Sequence, residues 1–324
     1  MKTFEDGIAV ITGGGTGMGR ELARQLAVAG CHVAVCDVSE ENMAQTKSIC
    51  DAESPAGVRV TTHRADVSIE ADLVRFRDEM MRAHETDYVS LVFNNAGIGG
   101  TGSLIVDDRA SWEKVFDVCW YGVYYGTRTF LPLLMASEEG HLVNTSSVNG
   151  FWATLGPNVA HAAYSAAKFA VKGFTEALIN DFKINAPHLG VSLVMPGHIG
   201  TSILTNSGKV LGADPKEMSD EEIQATREGL EQRGVDFGNA TNDQIRQAML
   251  MQADAFRDDA PTTAAQAATT ILDGVKAGRW RILVGHDAQV LDEMVRAEPE
   301  NAYTEDFHER LLAQTDWKLG SLGV

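Results

Sequence analysis

Seven short β-branched runs, separated by longer stretches of helical character, constrain this chain more than anything else in it. They read Ile8-Ala-Val-Ile11, His32-Val-Ala-Val-Cys36, Val58-Arg-Val-Thr61, Val89-Ser-Leu-Val-Phe93, His141-Leu-Val-Asn144, Val191-Ser-Leu-Val194 and Arg281-Ile-Leu-Val284. Strands of four to six residues alternating with helices build βαβ units, and these give a mostly parallel sheet covered on both faces. The expected fold is α/β and doubly wound, with seven strands in one domain spanning 1–324. At 44% hydrophobic and 22% charged residues, the chain has the composition of a packed core rather than of a disordered segment.

The unusual part follows position 200. Residues 201–324 carry 22 acidic and 12 basic side chains, so −10 of the net charge of −18 lies there. Two capping-box signals, Ser219 with Glu222 and Thr241 with Gln244, each open a helical stretch. In the second, Ile245, Met249, Ala253 and Phe256 share one helix face. Residues 203–262 therefore read as a helical insertion before the last helix-strand unit, expected to lid a substrate pocket; a surface decoration is the alternative. Beyond the last strand, 289–296 looks helical, Pro299 interrupts, and 306–314 looks helical again, giving a C-terminal helical extension over 286–324.

Charge and composition exclude several roles. A net charge of −18 opposes a nucleic-acid partner, whose affinity comes largely from Lys and Arg on phosphates. No apolar run reaches the ~18 residues of a membrane span, and no secretory signal precedes the first strand. Cys31, Cys36, Cys50 and Cys119 show no metal-ligand spacing, so no metal is expected, and a cytoplasmic location follows.

In open parallel sheets ligands bind beyond the carboxyl ends of the strands. The first strand runs into Thr12-Gly-Gly-Gly-Thr-Gly-Met-Gly19, the second ends at Asp37, the third near Asp66, the fourth at Asn94-Asn-Ala-Gly97, the fifth at Ser146-Ser147 and the sixth at Pro196-Gly197. Glycines let a backbone approach a pyrophosphate, and the helix beginning near Met18 points its positive end at the phosphates. A strand before, a helix after and an acid at the next strand's end make this a dinucleotide site. Asp37 accepts hydrogen bonds from ribose hydroxyls and repels a 2′-phosphate, so NAD is preferred over NADP. Residues 38–45 bring only Lys-free and Arg-free chemistry, and Arg20 is read as a helix-surface cation. Asp66 is read as an adenine contact or as the cap of the next helix. Asn94 and Asn95 either face the ligand or satisfy backbone groups of the sheet.

Tyr164 and Lys168 lie four apart in a helical segment, hence on one face with Cβ atoms about 6 Å apart. A phenol titrates near 10, and lowering it by about 3 units takes about 4 kcal/mol. One unit charge at 4 Å supplies about that at an effective dielectric near 20, so Lys168 with an oxidised nicotinamide suffices. Ser147 arrives at the end of the preceding strand, able to hydrogen-bond the same substrate oxygen. Gly-x-Ser-x-Gly is absent around it, which argues against a hydrolase nucleophile.

Together the glycine turn, Asn94-Asn-Ala-Gly97, Ser147, Tyr164-x-x-x-Lys168 and Pro196-Gly-His-Ile-Gly-Thr201 resemble the short-chain dehydrogenase/reductase family, NAD(P)-dependent oxidoreductases of the Rossmann type. The resemblance covers about 5–202 and resumes around 262–285. It implies that Tyr164 is the general acid/base, that Ser147 polarises the carbonyl, and that Lys168 binds the nicotinamide ribose and lowers the phenol's pKa. Cofactor contacts are then expected from Thr12, Gly13, Gly15, Thr16, Gly17, Met18 and Gly19, from Asp37, Asp66 and Val67, from Asn95, Ala96 and Gly97, and from Pro196, Gly197, Ile199 and Thr201. One departure stands out: Val118-Cys119-Trp120-Tyr121-Gly122-Val123 puts Cys119 where the family has an Asn that anchors a proton-relay water. A thiol hydrogen-bonds weakly, so the expectation is that the Cys119 backbone carbonyl serves instead.

The expected activity interconverts a secondary alcohol and a ketone. Phe151, Trp152, His161 and His198 are the candidate substrate residues, with Ile203 and Leu204 from the insertion, which favours an apolar or aromatic carbonyl compound; core packing is the equal alternative for Phe151 and Trp152. Relatives form homodimers or homotetramers through the helix carrying Tyr164 and the one before it. A halohydrin lyase, which needs no nucleotide, is opposed by the glycine turn and Lys168. A non-catalytic NAD-binding sensor, marked by Cys119, is the other alternative.

Overall fold

The computed structural model describes residues 3–100, 102–105, 107–157, 159–231 and 237–317. The first half runs β1 (Ile8–Thr12), α1 (Gly17–Val28), β2 (His32–Asp37), α2 (Glu40–Glu53), β3 (Val60–Arg64), α3 (Glu70–His84) and β4 (Leu91–Asn94). The second adds α4 (Arg109–Phe116), which passes through one π-helical turn at Asp117–Tyr121 into α5 (Gly122–Met135), then β5 (Gly140–Thr145), α6 (Ala162–Asn185) and β6 (Leu189–Pro196). After it come β7 (Ile199–Gly200), α7 (Ile203–Leu211), α8 (Asp220–Glu231), α9 (Asn242–Asp258), β8 (Thr262–Thr263), α10 (Ala264–Lys276), β9 (Arg281–Val284), α11 (His286–Ala297) and α12 (Glu305–Gln314).

The main sheet has seven strands in the order β3-β2-β1-β4-β5-β6-β9, all parallel. The order reverses between β1 and β4, and this switch point is where such sheets open a ligand crevice. Both faces are covered, which is why the strands read as β-branched runs. One face packs Ala9, Ile11, Val33 and Val35 against Leu22 and Leu26 of α1 and Ile271 and Leu272 of α10. The other packs Val10, Val92 and Leu142 against Leu73 and Phe76 of α3, Phe130 of α5 and Ala163 and Ala167 of α6.

The third strand is the one displaced from its expected place. The sequence pattern puts it at 58–61, whereas it runs over Val60–Arg64. β3 is an edge strand, paired to β2 alone, and so tolerates Thr62, His63 and Arg64 where an inner strand would carry apolar side chains. A two-residue ribbon, β7 with β8, was not legible at all.

After 200 the two helices opened by the capping boxes and the two after β9 stand near where the sequence pattern puts them, and a further helix, α7, for which that pattern holds no separate signal, precedes them over Ile203–Leu211. Both capping boxes form: the Ser219 backbone N–H donates to Glu222 and the Glu222 N–H to the Ser219 hydroxyl, with the same exchange between Thr241 and Gln244. A third, Thr263 with Gln266, opens α10. Pro299 begins a 3-10 turn (Pro299–Asn301) between α11 and α12. No helix among the described residues is long and apolar enough to cross a membrane.

Candidate functional site

The carboxyl ends of β1, β2, β4 and the start of α7 surround a cleft with about 1080 Å³ of atom-free space, part of it open to solvent. Its floor is the glycine turn. Gly17 sits at φ +53, and a Cβ on Gly19 would run into the carbonyl of Gly13, so helix α1 closes on its own turn only because no side chain is there. Thr12 pins the neighbouring strand end: its hydroxyl accepts from the N–H of Asn95 (3.0 Å) and of Ala96 (3.1 Å). Asn95 returns the tie by donating through Nδ2 to the carbonyls of Thr12 (3.1 Å) and Gly13 (3.3 Å).

Asn94 and Asn95 thus have different roles. Asn94 is 1% exposed and donates to Thr127 Oγ1 (3.0 Å) and Asn144 Oδ1 (2.8 Å) inside the sheet, so it takes no part in the cleft. Asn95, Ala96 and Gly97 line it. Arg20 is not the surface cation expected. Its guanidinium donates to Gly15 O (2.6 Å), Thr46 Oγ1 (3.1 Å) and Gln45 Oε1 (3.2 Å), fastening the glycine turn to α2.

Asp37 stands at the end of β2 in the cleft wall. Its Oδ2 accepts from the Gly15 N–H (3.0 Å) and its Oδ1 from the Ser39 N–H (3.1 Å), which fixes the carboxylate in place. A Cβ on Gly15 would lie 2.8 Å from that Oδ2, so a glycine is required for the turn and the acid to meet. Asp66 and Val67 continue the wall. Asp66 does not cap α3, whose N-cap is Ile69: its Oδ1 accepts from Ser68 N–H and Oγ–H, and its Oδ2 from Lys114 Nζ (2.9 Å). Burial alone would raise its pKa, but the Ser68 and Lys114 contacts outweigh that and hold it below the ordinary carboxylate value.

A glycine cradle at the positive end of a 12-residue helix, with an acid fixed opposite, matches the donor set of a dinucleotide: backbone N–H groups for phosphates and a carboxylate for ribose hydroxyls.

Behind Gly97 the cleft meets the candidate catalytic residues. A Cβ on Gly97 would lie 3.5 Å from Lys168 Nζ and 3.7 Å from Cys119 Sγ. Tyr164 and Lys168 share a face of α6, with the ammonium 5.4 Å from the centre of the phenol ring. Lys168 is 2% exposed and donates to the Thr145 carbonyl (2.9 Å). Burial lowers its pKa. Burial pushes the Tyr164 phenol above its ordinary value and the nearby Cys119 adds to this, while a hydrogen bond with Ser147 opposes it. Burial therefore opposes the lowering expected from Lys168 together with an oxidised nicotinamide. Ser147 is buried, and its Oγ accepts from the Asn149 N–H (3.1 Å).

Cys119 lies in the π turn, fully buried, with its thiol donating to the Ile98 carbonyl (3.2 Å). Single π turns of this kind recur at functional sites because they offset the side chains and carbonyls of the helix.

The four candidate substrate residues separate. The His161 ring packs on Tyr164 with centroids 5.0 Å apart, and burial holds its pKa down at about 4, so it is neutral at pH 7. Trp152 does not face the cleft. It is 1% exposed, donates through Nε1 to the Ala302 carbonyl (2.6 Å) and packs on Phe307 and Trp317 of the C-terminal extension. Phe151 packs in the same direction, under Arg281. His198 is 1% exposed and tethers two elements: its N–H donates to Asp287 (2.7 Å) and its Nε2 meets the Phe256 carbonyl (2.8 Å). Core packing claimed these three, because the partners named lie at least 58 residues away in sequence, out of reach of any local pattern.

Ile203 lines the cleft as expected from the insertion, whereas Leu204 does not; Thr201, Asn206, Lys209 and Val210 do. Asn206 Nδ2 donates to Thr16 Oγ1 in the glycine turn (2.9 Å), and the Gly99 N–H donates to Ser207 Oγ (2.8 Å), so α7 is latched to two cleft walls. The spacing of Ile203, Asn206 and Val210 on one helix face is the signal that would have found them. Of Pro196, Gly197 and Ile199, none borders this cleft directly; they form the turn that delivers Thr201 to it.

The short chain dehydrogenase family profile matches residues 7–211, a span that contains the glycine turn and the first six strands. The oxidoreductase SadH of Mycobacterium tuberculosis is 33% identical over 296 residues, covering 91% of this chain and 92% of its own. Levodione reductase of Leifsonia aquatica is 31% identical over 223 residues, 68% of this chain and 80% of its own. Among solved structures, a short chain dehydrogenase/reductase from Burkholderia phymatum in complex with NAD is similar at a TM-score of 0.73 and 28% identity, across 94% of this chain and 98% of its own. With a family match through the heart of the sheet and a relative that shares a third of its residues over nine-tenths of both chains, the chain belongs to the short-chain dehydrogenase/reductase family of oxidoreductases.

Proposed function

We propose that the chain interconverts a secondary alcohol and a ketone with NAD(H), using Ser147, Tyr164 and Lys168. The observation that carries the reading is the meeting of those three side chains behind Gly97, at the inner end of a cleft whose outer end presents Asp37.

An oxidised nicotinamide, its dinucleotide held by the glycine turn and Asp37, would supply the hydride acceptor and a positive charge. Ser147 donates its hydroxyl proton to the substrate oxygen and so orients it against Tyr164. Tyr164 takes the alcohol proton as phenolate and returns it in the reverse direction. Lys168, buried and anchored on Thr145 O, supplies a fixed cation beside the phenol; with its pKa raised by burial, Tyr164 needs the positive charge of both neighbours to reach neutral pH. Asp37, held by Gly15 and Ser39, favours NAD by repelling a 2′-phosphate, and Arg20 is already engaged elsewhere.

Substrate enters beside His161, whose neutral ring offers one donor and one acceptor nitrogen. Ile98, Val118, Ile203 and Val210 give the adjoining cleft an apolar wall, which supports a mostly apolar carbonyl compound such as a cyclic or aromatic ketone. Levodione reductase, by its name, acts on a small dione. The 203–262 insertion acts as the lid of this site within a single domain, and 286–324 as an extension. Copies of the chain associate through α5 and α6, where Tyr121 and Phe169 are exposed, a point that light scattering tests.

The deciding experiment follows nicotinamide absorbance with NAD or NADP and a panel of secondary alcohols, and with NADH and ketones. Turnover with NAD that falls at least about 1000-fold in Tyr164→Phe is expected, since a general acid/base contributes about 10²–10⁴. Undiminished turnover in that variant overturns the assignment.

A further inference from the structure

The residue two places after Ser147 is buried and unusually committed. Asn149 is 2% exposed. Its Nδ2 donates both protons, to the carbonyls of Trp152 (3.0 Å) and Thr154 (2.7 Å). The opposite amide orientation would press Oδ1 against two carbonyl oxygens, so the flip is determined and Oδ1 faces Ser147 Oγ at 3.5 Å. The Asn149 N–H meanwhile donates to Ser147 Oγ at 3.1 Å. Ser147 is thus held as an acceptor by a short bond, while its own proton has a long contact on Oδ1 and the Tyr164 phenol as a neighbour, on the side where a substrate oxygen would sit.

The segment that carries these two carbonyls, residues 152–155, is itself held from the far end of the chain. Trp152 Nε1 donates to Ala302 O (2.6 Å), the Ala153 N–H to Tyr303 Oη (3.2 Å) and Trp317 Nε1 to Leu155 O (3.0 Å). Trp152, Phe307, Leu311 and Trp317 form a small core of their own around these bonds.

We propose that Asn149 is a positioning residue for Ser147, and that the C-terminal extension, through Ala302, Tyr303 and Trp317, holds Asn149 in register. The proposal deepens the dehydrogenase reading and rests on it for the role of Ser147, but not for the geometry.

The test uses the full chain and three measurements: turnover of 1-phenylethanol with NAD, calorimetric binding of ADP-ribose, and crystal structures of the variants. Asn149→Ala is expected to lower kcat about 30-fold, as a displacement below 1 Å at a reacting centre does, with KM moved less than about threefold. ADP-ribose binding stays within about twofold, since the glycine turn is untouched. The acidic limb of the kcat–pH profile, on which Tyr164 becomes phenolate, moves to higher pH, because a misplaced Ser147 hydroxyl no longer favours the phenolate. Asn149→Asp is no rescue, for a carboxylate cannot donate to the two carbonyls. Tyr303→Phe, far from the chemistry, lowers kcat about threefold by loosening residue 153. Wild-type kcat and pH profile in Asn149→Ala overturn the proposal. If Asn149→Ala fails to fold, an unchanged kcat in Tyr303→Phe overturns it instead. If wild-type protein does not oxidise 1-phenylethanol, the crystal structures decide: Ser147 Oγ unmoved in Asn149→Ala, or residues 152–154 unmoved in Tyr303→Phe where the first variant does not fold, overturns the positioning role, and a displaced Oγ or loop supports it. The two failures are separate, since a rotamer is read without turnover.

Discussion

Residues 203–262 and 286–317 are both additions to the seven-stranded frame, both helical and both in contact with the site, yet they are built differently. The extension has its own apolar core: Trp152, Leu291, Phe307 and Leu311 are each at most 1% exposed. Its α11 is bolted to the sheet edge by Asp292, which takes both Arg281, through Nη1 at 2.8 Å and through Nη2, and Arg296. Among its described residues the insertion buries little: Ser207 in α7, Asp214 in the loop after it, Ile223 in α8 and Ile245 in α9. It meets the cleft through single polar bonds, Asn206 to Thr16 and Gly99 to Ser207. One addition is part of the framework; the other is a wall expected to open at small energetic cost.

The largest expected effect separates the two most directly. Phe307→Ala removes a fully buried ring from the extension and destabilises the whole protein by about 3–5 kcal/mol, read as a drop in the global melting temperature. Ile245→Ala, equally buried, is expected to leave the global transition in place and to raise amide hydrogen exchange across 203–258 alone. Equal falls in melting temperature would erase the distinction.

Acid sharpens it. Burial tends to raise the Asp292 pKa, but Arg281 and Arg296 outweigh this and hold it below the ordinary carboxylate value. A carboxyl lowered on folding contributes stability above its unfolded pKa of about 3.9 and loses it as pH falls through the folded value. Near-ultraviolet circular dichroism of Trp152 and Trp317 should therefore hold down to about pH 4 and fade below it. In Arg281→Gln the same signal should fade at higher pH. No shift of that midpoint would mean the ion pair does not fasten the extension.

Smaller effects test the wall. Lys209, on α7, is the one cationic side chain lining the cleft among the described residues, where Asp37 and Asp66 contribute negative charge. Lys209→Ala is expected to weaken ADP-ribose about fivefold, or about 1 kcal/mol, with the loss shrinking as salt rises. Asn206→Ala, which removes the bond to Thr16, costs about the same or less. Equal affinities in both variants and wild type would show that α7 does not close over the dinucleotide. Smallest of all is Cys119→Asn, which belongs to neither region. Turnover is expected to change less than about twofold, because the thiol is spent on Ile98 O and a backbone carbonyl needs no particular side chain. A large gain in rate would assign the side chain a part in the relay.

The sheet was legible because parallel strands buried on both faces must be β-branched and apolar, and those runs are hard to mistake. The glycine turn, Asp37 and the Tyr164–Lys168 spacing were legible because each is a local pattern tied to a strand end or a helix turn. What escaped the sequence is long-range. Nothing near Trp152 announces Ala302 or Trp317, and nothing near Arg20 announces Gln45. The upward push of burial on Tyr164 escaped for a related reason, since spacing gives the distance to Lys168 but not the depth at which both are buried.

Arg20 carries a lesson for anyone who wishes to exchange one cofactor for the other. With its guanidinium spent on Gly15 O, Thr46 and Gln45, it acts as a rivet and not as a reserve of positive charge. Neutralising Asp37 would lift the repulsion of a 2′-phosphate without offering that phosphate a counter-charge, and recruiting Arg20 would unfasten the turn that seats the rest of the dinucleotide. On the proposed NAD reading, a redesign toward the phosphorylated cofactor has to import its cation, at the head of α2 where Ser39 and Asn42 already border the cleft.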